Sequence, residues 1–230
     1  MATIRKVSDL DVAGKRVFVR VDFNVPQDEK GAVTDDTRIR AALPTIRNLV
    51  ERGARVILGS HLGRPKGKTP SLSLLPVAAR LAELLAPQVK EVKLCDEVVG
   101  DGSRKVVSDL RDGEIALLEN LRWEPGEEKN DEALSKALAS LAEVYVNDAF
   151  GTAHRAHCST VGMVKHFAPG KRGAGFLMLR EVEFLSRACE QFYGAPFVPA
   201  VVDTLRLHDR LINRGFDDEA KGKKVSGAIA

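Results

Sequence analysis

Short apolar runs that are typical of β-strands alternate along this sequence with longer segments that have the apolar spacing of α-helices. The strand-like runs cover 16–24, 54–60, 89–95, 114–119 and 144–147, and the helical segments cover 37–51, about 71–85, 130–142 and 179–191. This alternation predicts parallel strand pairing with right-handed crossovers, so that helices cover both faces of the sheet. The expected fold class is therefore α/β, with a doubly wound, mostly parallel sheet. The polar, glycine-containing stretch 96–113 carries no predicted element.

The same alternation divides the chain. We interpret residues 1–178 as one lobe and residues 179–195 as a connecting helix that reaches a break marked by Gly194 and Pro196. Residues 196–230 show no further strand-helix units and are expected to form a divergent tail with one short amphipathic helix. A chain of 230 residues is long enough for about one to two domains, so a single lobe with a tail is reasonable.

Composition excludes several classes of protein. Hydrophobic residues make up 44% and charged residues 29% of the chain, which is typical of a globular protein and not of a disordered one. The longest apolar runs are far shorter than the roughly 18 residues needed to cross a bilayer, and residues 1–20 do not resemble a signal peptide. We therefore expect a cytoplasmic protein without a membrane partner. The net charge of only +3 also predicts no nucleic-acid partner.

The cysteine pattern indicates neither a disulfide framework nor a metal site. Cys95, Cys158 and Cys189 are an odd number at wide spacing, and we expect them to be reduced. His154 and His157 lie close in sequence, but they have no nearby cysteine and no clear third ligand. A structural or anion-contacting role is therefore favoured over metal binding, and no metal ligand is predicted.

One arginine follows the end of each of four predicted strands. These residues are Arg38, Arg64, Arg122 and Arg155, on four separate loops or helix starts. In an open parallel sheet these loops converge at the carboxyl edge of the strands, where ligands bind. A single arginine in such a loop is more often a solvated surface group. Four together repel one another unless an anion neutralises them, and their planar forks match phosphate and carboxylate oxygens. The pattern predicts a small polyanionic substrate, with phosphate, at this edge.

Asp22 and Asn24 end the first strand at the same edge, where a carboxylate would compete with an anionic ligand. A ligand hydroxyl would explain both residues, because Asp22 can accept its proton while Asn24 can donate or accept. The alternative is that Asp22 pairs with Arg38 or Arg20.

The segment 63–69 (GRPKGKT) follows a strand and ends in Gly-Lys-Thr, like a phosphate-cradling P-loop. It has three residues between its glycines where the P-loop has four, and Pro65 removes one amide donor. The P-loop interpretation is therefore rejected.

Five segments resemble the amino-terminal domain of the phosphoglycerate kinase family. They are 19–26 (VRVDFNVP), 37–42 (TRIRAA), 60–65 (SHLGRP), 118–122 (LENLR) and 145–157 (YVNDAFGTAHRAH). The resemblance runs in order from near the start through Met178, and more weakly to about Val198. It implies a two-lobed glycolytic enzyme that moves a phosphoryl group reversibly between Mg-ATP and the carboxylate of 3-phosphoglycerate. In that family the amino-terminal lobe holds the 3-phosphoglycerate.

The resemblance also assigns roles, residue by residue. Arg64, Arg122 and Arg155 would hold the phosphate of 3-phosphoglycerate, with His61 nearby. Arg38 would bridge to the transferring group and neutralise the charge on its equatorial oxygens, which makes it the candidate catalytic residue. Asp22 and Asn24 would contact the carbon skeleton and the hydroxyl of 3-phosphoglycerate.

After residue 198 the sequence departs from the family pattern, which would continue with GGAKVSDK. Residues 199–207 read PAVVDTLRL instead, so the nucleotide-binding lobe is expected to be missing and Mg-ATP or Mg-ADP is not expected to bind this chain alone. The leading hypothesis is a lobe that binds 3-phosphoglycerate but transfers no phosphoryl group unaided. Two alternatives remain open. One is a non-catalytic interaction module that docks another protein or a separate nucleotide-binding lobe, and the other is a truncated by-product without function.

Overall fold

The computed structural model describes residues 5–193, and their side chains as far as residue 187. Six strands are present in this range: β1 (Arg16–Arg20), β2 (Arg55–Gly59), β3 (Val92–Leu94), β4 (Ile115–Leu117), β5 (Val144–Asn147) and β6 (Arg172–Ala174). They form one parallel sheet in the order β3-β4-β2-β1-β5-β6. The expected tail, residues 196–230, lies outside the described residues.

Five α-helices connect or follow these strands: α1 (Thr37–Glu51), α2 (Leu75–Leu85), α3 (Asp101–Ser108), α4 (Glu132–Ser140) and α5 (Phe176–Tyr193). The start of α5 lies three residues before the expected 179. Helix α3 and strand β6 were not predicted. Helix α3 has eight residues, of which only Ser103 and Val107 are buried. It therefore has too few apolar residues for a helical period to be recognised in the sequence.

The strands alternate their side chains between two cores, which confirms the doubly wound α/β class. Val17 and Val19 of β1 belong to the core that includes Ile46 of α1 and Leu81 of α2. Phe18, between them, belongs to the opposite core with residues of α3 and α4. The ring of Phe18 stacks on that of Tyr145 in β5, with 6.1 Å between ring centroids. Apolar burial on both faces explains why these strands read as nearly continuous hydrophobic runs.

The start of α2 is held by a buried carboxylate. Glu119, which is 3% exposed, accepts hydrogen bonds from the Leu74 N–H (2.7 Å), the Asn120 N–H (2.8 Å) and the Ser73 hydroxyl (2.7 Å). The Ser73 hydroxyl in turn accepts from the N–H of Leu75, the first residue of the helix, at 3.1 Å. These bonds satisfy amides that a helix start leaves unpaired, and they join α2 to the loop after β4.

Because all six strands are parallel, the loops that follow them leave the sheet at one edge. The loops after β1, β2, β4 and β5 carry the candidate site residues. Within residues 5–193, no helix combines the length and the hydropathy needed to cross a bilayer.

Candidate functional site

Hydrogen bonds tie the loops after β1, β2 and β4 together at the carboxyl edge of the sheet. The Ser60 hydroxyl accepts from the Phe23 N–H at 2.8 Å, and the amide of Asn120 donates to the Leu62 carbonyl at 2.8 Å. Asn120 is fully buried, and its Oδ1 accepts from the N–H of Arg122 at 3.1 Å. The backbone that carries the candidate residues is therefore held in place before any ligand binds.

His61 lies where the positive charges of this edge converge. Its side chain is 5% exposed, and burial lowers its pKa to about 2, with further lowering by the charges of Arg20, Arg122 and Arg155. These three arginines come from β1, the β4 loop and the β5 loop, so the structure brings separate chain segments to one histidine. The ring is neutral at physiological pH.

Arg122 occupies the centre of the cluster and is 7% exposed. Burial lowers its pKa, and the charges of Arg155 and Arg64 lower it further, although Glu128 opposes the shift. Arg122 donates from Nη1 to the Gly63 carbonyl at 2.6 Å and pairs through Nε with Glu128 Oε1 at 3.1 Å. Arg122 is thus close enough to two of the other predicted arginines, Arg64 and Arg155, to sense their charges.

Gly63 is held from both sides in a backbone conformation that suits glycine. Its φ is +62°, and a Cβ here would lie 3.0 Å from Leu72 Cδ2. Its N–H donates to Asn24 Oδ1 at 2.8 Å, opposite the bond from Arg122 to its carbonyl. Oδ1 of Asn24 thus accepts one bond from the protein and keeps a second lone pair, while Nδ2 is available to a ligand as a donor.

Arg38 is joined to the site through Asp22. Nη1 of Arg38 lies 2.5 Å from Oδ2 of Asp22, and the side chains are 52% and 12% exposed. This is the pairing that the sequence offered as the alternative explanation of Asp22. The same Oδ2 lies 3.0 Å from the place where a side chain at Gly151 would begin, so Asp22 faces the loop after β5. Half of the Arg38 side chain remains open to solvent and to a ligand.

Arg64 and Arg155 are the more accessible arginines. Arg64 is exposed on the loop after β2, and Arg155 is half-buried and donates from Nε to His154 Nε2 at 3.3 Å. His157 is half-buried, and burial lowers its pKa together with the charges of Arg122 and Arg155, although Glu128 opposes the shift. Both histidines therefore lie near Arg155.

A cavity of about 520 Å³ borders the same loops. Its lining includes none of the four arginines and consists of Asn24, Val25, residues 27–31, Leu62, Gly63, Ser71 and Leu72. Its size is within the range of small-molecule sites. Among residues 5–193, no group of three or more His, Cys, Asp or Glu side chains is arranged to hold a metal ion, and we assign no magnesium site to them.

Sequence reasoning missed a buried polar group beneath the cluster. Arg20 is 1% exposed and donates from Nε to Ser159 Oγ at 2.9 Å, and Ser159 donates in turn to Glu127. Arg20 was considered only as a partner of Asp22, although a charged residue at the end of a buried strand is a signal of function. Nothing in the sequence indicates that Glu127 and Ser159 are buried, because neither residue lies in a predicted strand.

The chain is similar to several known proteins. The family model described as phosphoglycerate kinase matches residues 7–209, past the residue 198 to which the resemblance was traced. The phosphoglycerate kinase of Anaeromyxobacter dehalogenans is 53% identical over 233 aligned residues, 99% of this chain and 57% of that protein. That of Picosynechococcus sp. is 56% identical over 189 residues, 82% of this chain and 46% of that protein. The chain spans about half the length of the curated relatives it matches.

Solved structures give the same result. The phosphoglycerate kinase from Coxiella burnetii matches with a TM-score of 0.70 at 39% identity, over 81% of this chain and 45% of that one. The phosphoglycerate kinase from Pyrococcus horikoshii matches with a TM-score of 0.72 at 37% identity, over 80% and 45%. The family match, these likenesses and the parallel sheet with its arginine-bearing edge lead to one conclusion: the chain belongs to the phosphoglycerate kinase family.

Proposed function

We propose that this chain is a lobe that binds 3-phosphoglycerate at the carboxyl edge of its sheet. The observation that carries the proposal is the convergence of arginine charges from separate loops on His61. Arg64, Arg122 and Arg155 hold the phosphate group, which neutralises their mutual repulsion. Guanidinium groups suit this task because their N–H donors match pairs of phosphate oxygens.

Asn24 and Asp22 bind the carbon skeleton. Asn24 donates to the ligand from Nδ2, while its Oδ1 accepts from the Gly63 N–H. Asp22 accepts from the ligand hydroxyl through a carboxylate oxygen. The loop geometry supports this division, since Asn24 lines the cavity beside Gly63 and Asp22 faces the loop after β5.

Arg38 serves the transferring group and is the proposed catalytic residue. Its guanidinium stands at the second residue of α1, paired with Asp22 and half exposed. From this place it bridges the substrate carboxylate and the phosphoryl group, and it neutralises charge that develops on the equatorial oxygens during transfer. Asp22 holds the guanidinium in position until the phosphoryl group is present.

Phosphoryl transfer needs a second lobe. In such reactions catalysis comes mainly from positioning and from charge stabilisation between groups that face each other, and Mg-ATP supplies the phosphoryl group. None of the residues that we assign to the site holds the nucleotide or magnesium. We propose that the lobe described here binds 3-phosphoglycerate without turnover by itself, and that activity requires a nucleotide-binding lobe.

Calorimetry tests the binding proposal. We expect 3-phosphoglycerate to bind and both glycerate and glycerol 3-phosphate to bind more weakly, because each lacks one of the two anionic groups. Arg64→Ala should weaken 3-phosphoglycerate binding by about tenfold or more, since one charge-assisted hydrogen bond contributes roughly 1.5–3 kcal/mol. Arg104→Ala is the matched control, because Arg104 is 59% exposed on α3 and makes none of the contacts described for the site. Absence of binding heat at millimolar 3-phosphoglycerate would refute the proposal.

A coupled ATP assay tests the need for a second lobe. The purified chain should show no turnover, and activity should appear when the nucleotide-binding lobe of a relative is added as a separate fragment. Clear turnover by the chain alone would contradict this part of the proposal. Co-elution with the fragment without activity would favour the interaction-module alternative.

A further inference from the structure

A buried chain of polar groups lies beneath the arginine-bearing loops, and the proposed function assigns a role to only one of its members, His61. Its members are Arg20, His61, Ser159 and Glu127, which are between 0 and 5% exposed. They come from the end of β1, the loop after β2, and two segments that follow β4 and β5. Buried charges at such distant positions in the sequence are costly unless they are paired and hydrogen-bonded.

The contact between Arg20 and His61 determines which ring nitrogen carries the proton. Nη2 of Arg20 lies 3.2 Å from Nδ1 of His61. A guanidinium has only donors, so Nδ1 must be the acceptor and cannot bear a hydrogen. The proton of the neutral ring is therefore on Nε2, since the bond made by one ring nitrogen sets the state of the other. Nε2–H is then a hydrogen-bond donor without a protein partner among residues 5–193.

Arg20 is itself fixed by a counter-charge. Besides the bond from Nε to Ser159 Oγ, its Nη1 donates to the carbonyl of Val21. Ser159 binds both oxygens of Glu127, donating from its hydroxyl to Oε1 and from its N–H to Oε2 at 3.1 Å. Burial raises the pKa of Glu127, and the charge of Arg20 opposes the rise. The serine thus links a buried cation to a buried anion, which holds the guanidinium at a defined distance from His61.

We propose that Arg20, anchored by Ser159 and Glu127, is a positioning residue that keeps His61 as a neutral Nε2–H donor for the anion held by the surrounding arginines. The identity of that anion as a phosphate ester rests on the proposed function, whereas the state of His61 does not. Protonation of His61 would place a hydrogen on Nδ1 against the guanidinium of Arg20. It would also add a positive charge beside Arg122, Arg155 and His157.

The arrangement has a functional consequence. A histidine in a phosphate site normally gains charge as the pH falls below about 6.5, and its anion affinity then changes with pH. With Arg20 in place, His61 contributes a directed hydrogen bond of constant strength across this range. The charged groups that face His61, namely Arg20, Arg122 and Arg155, all oppose its protonation, and Glu128 partly offsets them through Arg122.

The first test is long-range ¹H–¹⁵N NMR of the free chain, which reads the protonation of each ring nitrogen. In the wild-type protein we expect His61 to stay in the Nε2–H form without titrating between pH 5.5 and 8. The double variant Arg20→Met/Glu127→Gln removes the donor and its counter-charge together, so that no lone buried charge is left to prevent folding. There we expect the Nδ1–H form to appear beside the Nε2–H form, while burial, Arg122 and Arg155 keep the ring neutral. Ser159→Ala, which keeps both charges, should give an intermediate result.

The second test is anion affinity, with sulfate as the probe because its charge is constant over this pH range. The double variant should bind sulfate about threefold or more weakly than wild type, because a ring in the Nδ1–H form offers no donor at Nε2. His61→Ala should weaken sulfate binding more in the wild type than in the double variant, where that donor is already partly lost. An Nδ1–H or protonated ring in the wild type, or a double variant with unchanged His61 signals and sulfate affinity, would overturn the proposal. If the proposed function is wrong, calorimetry shows no binding of 3-phosphoglycerate, and this result is independent of the state of His61.

Discussion

Asp148 is a fully buried carboxylate at the start of α5, and its replacement by asparagine gives a quantitative test of the structure. Oδ1 accepts hydrogen bonds from the N–H groups of Leu177 at 3.0 Å and Met178 at 3.2 Å. Oδ2 is buried and has no hydrogen-bond partner among the described residues. Burial raises the pKa of Asp148 to about 6 from 3.8, although hydrogen bonds from Thr45 and the α5 amides oppose the rise.

The raised pKa makes stability depend on pH with a defined sign. The folded state holds the Asp148 proton up to about pH 6, whereas the unfolded chain releases it near 3.8. The free energy of unfolding therefore falls as the pH rises between these values and stays constant above them. Two pKa units correspond to about 3 kcal/mol. Because Asp148→Asn has no charge to bury, its free energy of unfolding relative to wild type should rise by about 2–2.5 kcal/mol between pH 4 and 7, since the unfolded carboxyl is already more than half deprotonated at pH 4.

Urea unfolding followed by far-ultraviolet circular dichroism at several pH values measures this difference. Taking the difference between the two proteins at each pH removes the contribution of the carboxylates that they share. A constant effect of the new amide on stability does not change with pH, so it does not affect the trend. Asp109→Asn is the control, because Asp109 is exposed after the end of α3 and its replacement should give no such trend. A difference between Asp148→Asn and wild type that is the same at pH 4 and pH 7 would refute the reasoning.

Three further predictions follow from other buried groups. Gly63→Ala places a side chain at φ +62° and 3.0 Å from Leu72, so calorimetry should show weaker 3-phosphoglycerate binding, and unfolding should cost about 1–3 kcal/mol less. Glu119→Ala removes three hydrogen bonds at the start of α2 and should lower the free energy of unfolding by about 2–4 kcal/mol in denaturant titrations. Burial raises the pKa of Cys95 and Cys158 to about 11, so iodoacetamide at pH 8 should alkylate them on the order of 100-fold more slowly than in urea, as peptide mass spectrometry would show.

The order of strands and helices was determined by the sequence itself. Apolar residues repeat with the period of a strand or of a helix, and that period is set by backbone geometry that each segment carries locally. The α/β class, the parallel sheet and the edge at which its loops meet all follow from this order. Helix α3 and strand β6 were missed because each buries too few apolar side chains to show a period.

The candidate site was predicted in part, because loops after parallel strands must meet at one edge even when their conformations are unknown. Arg122 lies near both Arg64 and Arg155, as that rule requires. Arg38 is joined to the edge through its pairing with Asp22, which the sequence left as one of two explanations. A resemblance can transfer a role to a residue, but it cannot say which of its hydrogen-bonding atoms are already used by the protein.

Partner choice among polar side chains was decided by the tertiary structure alone. Glu127 and Glu128 are adjacent and chemically identical, yet Glu127 is buried with Ser159 while Glu128 is 58% exposed and pairs with Arg122. Periodicity records how a segment exposes its own faces, and it contains no information about which distant segment approaches them. The pairing of Arg20 with His61 depends on two strands lying side by side in register, so it exists only once the sheet has formed.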